Sequence, residues 1–154
     1  MKNVQRTTYN VQRSKQLDLE LTIHGKLPAG MSENMIREII KKFSGKMKLK
    51  RLALGLGFVS ARAMAGINQS YRGKASATDV LSFGYALGRG NLEGDILICP
   101  SFAKTSAKDQ KVAYKEELQR LLIHGLLHLA GYDHVKKAEA NKMFKLQEGL
   151  LKIV

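Results

Sequence analysis

The 154 residues are enough for one domain that buries a core of its own, and 44% hydrophobic with 25% charged residues is the composition of a globular chain. One cysteine, Cys99, excludes an internal disulfide, and no apolar run is long enough to span a bilayer. The 26 Lys and Arg against 13 Asp and Glu leave a net charge of +13, which favours a polyanionic partner, nucleic acid above all.

That excess is uneven: residues 1–62 hold 13 Lys/Arg against 4 Asp/Glu, concentrated in Arg6 to Lys15 and Lys41 to Arg51. Residues 1–13 read as a basic N-terminal arm with no apolar core behind the charges, so no secretory signal is expected and the cytoplasm is the expected location. A single domain is expected over residues 14–154.

In chain order, Leu17 to Ile23 alternates apolar and polar residues, the pattern of a half-buried strand. Ser32 is placed to cap a helix in which Met35, Ile36, Ile39, Ile40 and Phe43 recur at helical spacing, ending near Gly45. Arg51 to Val59 reads as a strand and Ser60 to Tyr71 as a short helix. A turn bearing Gly73 and Lys74 leads to a strand over Val80–Phe83. The glycines at 84, 88, 90 and 94 predict a loop before a strand over Asp95–Ile98. Helices are expected over Pro100–Lys108, Lys111–Ala130 and Lys136–Ile153. Strands early and helices late make an α+β fold in two or three layers.

The densest chemistry lies in His124-Gly-Leu-Leu-His128-Leu-Ala-Gly131-Tyr-Asp-His134. His124 and His128 stand four apart, on one face of a helix that is otherwise apolar from Leu121 to Ala130. Buried imidazoles need partners, and Gly131 offers a left-handed exit from which His134 can turn back. Three converging imidazoles with one coordination position open are the pattern of a catalytic metal centre. The spacing H-x-x-x-H-x-x-G-x-x-H is that of the metzincin proteases, but their general-base Glu is replaced by Gly125, which moves no proton. A glycine there serves either close packing of a neighbour or room for a bulky substrate.

The run H-G-x-L-H-L-x-G-Y-D-H resembles the signature of the YbeY family, metal-dependent endoribonucleases of ribosomal RNA maturation. Asn68-Gln-Ser-Tyr71-Arg72-Gly73-Lys74, Thr78-Asp79-Val-Leu-Ser-Phe83 and Gly94-Asp95-Ile-Leu-Ile98 resemble further blocks of that family, in order. The resemblance implies a mixed, mainly parallel four-stranded sheet packed with about five helices, a zincin-like histidine helix lying against it. It implies one zinc ion per chain on His124, His128 and His134, where all-imidazole ligation by itself also suits nickel, copper or iron. It implies Arg72 as the catalytic cation, a planar fork able to hold a phosphate through two hydrogen bonds. Without the resemblance, Arg72 reads as a surface cation at a helix end.

Asp79 and Asp133 are the carboxylates expected either to hold the ligands' second ring nitrogens or to serve local caps and turns. Tyr71, Phe83, Tyr85 and Tyr132 are the aromatics able to stack on unpaired bases, Phe83 being better suited to the core. The expected partner is RNA, a small-subunit ribosomal RNA precursor, together with ribosomal proteins or a ribosome-associated GTPase and no membrane. A metalloprotease and a non-catalytic ribosome assembly factor with a structural metal are the competing readings.

Overall fold

The polar and apolar alternation of the first segment does produce a strand: β1 (Asp18–His24) turns Leu19, Leu21 and Ile23 to the core and Asp18, Glu20, Thr22 and His24 to solvent. The computed structural model describes residues 16–74 and 78–154, so the expected arm over residues 1–13 lies outside the described residues. Helix α1 (Glu33–Lys46) starts where the Ser32 side chain accepts a hydrogen bond from the Met35 N–H at 3.2 Å, and it buries Ile36, Ile39, Ile40 and Phe43. Strand β2 (Arg51–Phe58) pairs in parallel with β1. Helix α2 (Ala61–Arg72) is capped by Ser60 and closed by Gly73, whose φ of 68° is the left-handed turn that glycine takes without steric cost.

Strands β3 (Val80–Gly88) and β4 (Asn91–Ile98) pair antiparallel, and β4 pairs in parallel with β2, giving the order β1-β2-β4-β3. Helices α3 (Pro100–Gln110), α4 (Tyr114–Leu129) and α5 (Lys137–Leu151) follow. Among the described residues the result is the expected α+β fold with a mixed, mainly parallel four-stranded sheet and five helices.

Two expectations are corrected. The glycine-rich segment after Phe83 is a β-hairpin: both strands continue to a two-residue turn in which Arg89 (φ 53°) and Gly90 (φ 79°) are left-handed. A bulge at Tyr85 shifts the register between Gly84 and Ala86 and hides the alternation, while Gly94 is small because Leu129 Cδ2 and the Phe83 carbonyl crowd it. Second, α4 begins at Tyr114, not Lys111, because Lys111 adopts φ 58° and ends α3.

The main core lies between α1, α4, α5 and the sheet face formed by Leu52, Leu54, Leu56, Leu92 and Ile96. A smaller cluster of Met64, Leu81 and Cys99, joined by Leu97 and Phe83, seats α2 on the opposite face near β3. The rest of that opposite face, including Glu20, Thr22, His24, Gly55, Glu93 and Asp95, lines an open depression. Among the described residues no helix is long and apolar enough to cross a membrane.

Candidate metal centre

Helix α4 is apolar because it is the central helix of the core: Leu118, Leu122, Ile123, Leu126 and Leu127 are fully buried. Its start is anchored by Arg120, 15% exposed, which reaches Glu116 at 2.8 Å, Glu117 at 3.0 Å and Glu148 of α5 at 3.0 Å. Gly125 packs α4 against the sheet. A methyl at this position would come 2.9 Å from Ile96 Cγ2, so the glycine serves close packing of a side chain and leaves no space for substrate.

The helix ends in a Schellman motif: the Gly131 N–H donates to the His128 carbonyl and the Tyr132 N–H to the Leu127 carbonyl, both at 3.0 Å, with Gly131 at φ 92°. This exit sends Asp133 and His134 back along the helix. The Asp133 carboxylate accepts from the His134 N–H at 2.7 Å and fixes the turn.

His124, His128 and His134 meet: one ring nitrogen of each lies within 4.8 Å of the others, in a geometry that could hold a metal ion. The His124 and His128 Nε2 atoms are 3.0 Å apart, close to the ~3.4 Å separation of two tetrahedral ligands at about 2.1 Å from zinc. Burial pushes both imidazoles below the usual histidine range, His128 further through its neighbours His124 and His134. Neutral imidazole is the form that binds metal, so the donor set fits a divalent ion.

The group that holds His124 is one the sequence reading missed. Gln147 of α5, 5% exposed, places Oε1 2.7 Å from His124 Nδ1. The Nδ1–H then donates to the amide and leaves the Nε2 lone pair facing the site. Gln147 Nε2 donates to Glu148 at 3.4 Å, which fixes the amide's orientation. Of the two expected carboxylates, Asp133 takes its local turn, and Asp79 accepts from its neighbour Thr78 at 3.4 Å, its charge acting on His124 only through space. The signal for Gln147 was only its place on the buried face of the last helix, which does not name a partner.

Arg72 is the last residue of α2, exposed, with no ion pair among the described residues and no contact with the three imidazoles. Beside it Tyr71, 72% exposed, rests on Phe83 with ring centroids 4.9 Å apart. The neighbouring Ser82 donates to the Gly125 carbonyl at 3.3 Å, tying β3 to the histidine helix. Arg72 thus stands at a helix end near the strand that Ser82 ties to the histidine helix. Tyr85 is drawn to the far sheet face, where its hydroxyl donates to Asp95 at 2.6 Å, and Tyr132 is half-buried. The aromatic that does face the imidazoles is Phe144 of α5, absent from the expected set: its ring is 6.2 Å from His134 and 6.4 Å from His124.

The family model described as "Endoribonuclease YbeY" matches residues 15–154 of the chain. An endoribonuclease YbeY of Bdellovibrio bacteriovorus is 37% identical over 121 residues, 78% of this chain and 79% of its own length. That of Halalkalibacterium halodurans is 33% identical over 149 residues, 88% of this chain and 94% of its own. The solution structure of a Thermotoga maritima protein superposes with a TM-score of 0.62 at 26% identity, covering 86% of this chain and 87% of that one. The convergence of His124, His128 and His134 at the end of a glycine-packed helix and a sequence match over nearly the whole chain agree, and the chain belongs to the endoribonuclease YbeY family.

Proposed function

We propose that this protein is a metal-dependent, single-strand-specific endoribonuclease that cleaves a ribosomal RNA precursor of the small subunit in the cytoplasm, with roles in ribosomal RNA maturation and ribosome quality control. The observation that carries it is the convergence of His124, His128 and His134 in a member of this family. In this reading the three imidazoles would hold one zinc ion. A bound zinc ion would polarise a phosphoryl oxygen and lower the pKa of water. Gln147 keeps His124 in the ligating tautomer. Exposed His134 leaves one side of the site open to a polymer. Arg72, without an ion pair among the described residues, is placed in this reading to close on the phosphate as negative charge gathers there. Ribosomal proteins or a ribosome-associated GTPase are the partners this reading implies.

Proteolysis of the metzincin kind is disfavoured by Gly125, which puts Ile96 where that class keeps its base. The test is cleavage of single-stranded and duplex RNA by zinc-loaded protein with and without a chelator, beside His128→Ala. Cleavage of single strands that the chelator abolishes and zinc restores is expected, and His128→Ala should hold no stoichiometric metal by elemental analysis. Full metal in that variant sinks the three-histidine site. Bound metal without any cleavage favours the assembly factor.

A further inference from the structure

We propose that Phe144 is a stacking platform for a nucleobase of single-stranded RNA, set one nucleotide from the histidine site; the inference rests on the RNA reading above. Helix α5 packs through Met143, Gln147 and Leu150, all buried, and these residues suffice to seat it. Phe144 is one position off that stripe and 43% exposed, so its hydrophobic cost is not recovered by the core. Its ring is nearly parallel to those of His134 (15°) and His124 (22°) at centroid distances of 6.2 and 6.4 Å, so a partly exposed aromatic stands beside the histidine site.

Its surroundings select the ligand. Lys137, two turns earlier on the helix, and the adjacent Lys145 are both exposed, and Lys142 lies 5.9 Å over the Tyr132 ring. A flat apolar face among cations matches a base attached to phosphates, the combination by which single strands are held without reading their sequence. A base in a duplex is already stacked and cannot reach the ring, so the platform also supplies a preference for single strands. Tyr71, Phe83, Tyr85 and Tyr132 are engaged elsewhere or lie away from the imidazoles.

The test is equilibrium binding of single-stranded oligoribonucleotides carrying 2-aminopurine, with chelator present so that no cleavage is needed, to wild type, Phe144→Ala, Phe144→Leu and Phe144→Trp. Stacking predicts a roughly 5- to 100-fold loss of affinity and loss of fluorescence quenching in the Ala and Leu variants, with Trp equal to or tighter than wild type. Zinc affinity, measured separately by chelator competition, should stay at the wild-type value in all three. Leu binding RNA as wild type does, or Ala losing zinc while keeping RNA affinity, overturns the proposal and leaves Phe144 as packing for the imidazoles. Wild type failing to bind or cleave RNA overturns the endoribonuclease reading itself, whereas normal cleavage and binding by Phe144→Ala overturns only the stacking.

Discussion

At the scale of the residue, Gly125 shows how one position reports both packing and chemistry. Alanine is the better helix former by about 1 kcal/mol, yet its methyl would press on the branched side chain of Ile96 at 2.9 Å. Overpacking of this kind costs about 1–3 kcal/mol, so Gly125→Ala should lower stability by roughly 1 kcal/mol in urea unfolding, with metal content retained. An unchanged midpoint means the sheet and helix separate without cost. Arg72 tests the chemistry. If it stabilises the phosphate in the transition state, Arg72→Ala should keep fold and metal and lose about 10²–10³-fold in cleavage, and Arg72→Lys should recover only part. A surface cation would change nothing beyond roughly 0.5 kcal/mol of stability, so wild-type cleavage by Arg72→Ala removes it from the mechanism.

At the scale of the element, the site depends on how α5 docks on α4, because Gln147 and Phe144 reach the histidines only from there. Arg120 bridges the two helices by pairing with Glu117, whose side chain is 3% exposed, and with Glu148, 48% exposed. The two bonds differ in weight. Arg120→Met strands the Glu117 charge in the interior and should cost about 3 kcal/mol. Glu148→Gln should cost on the order of 0.5 kcal/mol, since water screens a half-exposed carboxylate. The hydrogen bond from Arg120 holds the Glu148 carboxyl below its usual pKa. Its contribution is therefore present above the unfolded value near ~4.3 and fades as pH falls through the lower folded value. Urea midpoints of wild type and Glu148→Gln should converge on acidification below about pH 4; a difference that persists there contradicts the assignment.

At the scale of the molecule, charge is segregated. Lys41, Lys42, Lys46, Lys48 and Lys50 are exposed along α1 and the turn into β2. The open sheet face instead gathers Asp18, Glu20, Glu93 and Asp95, with Arg51 paired to Asp18 and Glu20. Polyanion binding is thereby steered away from that face. Affinity for single-stranded RNA should fall steeply with salt, and replacing Lys41, Lys42 and Lys46 by Glu should flatten the log–log slope by about 2 if each contacts a phosphate. An unchanged slope places the RNA path along α5 instead.

What the chain's sequence determined alone is what depends on near neighbours. The spacing of His124 and His128 and the Gly131 exit are set by helical period and a local cap, so the histidine cluster was legible, as was the Ser32 cap. The family blocks carried the mixed, mainly parallel character of the sheet, which no local pattern contains, whereas its order β1-β2-β4-β3 came with the structure. Tertiary structure alone decided the rest. Glycines of β3 and β4 read as a loop because their cause, Leu129 packing and a left-handed Arg89–Gly90 turn, lies outside the strand pattern. Gln147, rather than Asp79 or Asp133, holds His124, and Phe144 faces the imidazoles, because α5 folds back on α4. Contacts across such separations follow from packing of whole elements, and the residues that make them carry no mark of it in their own segment.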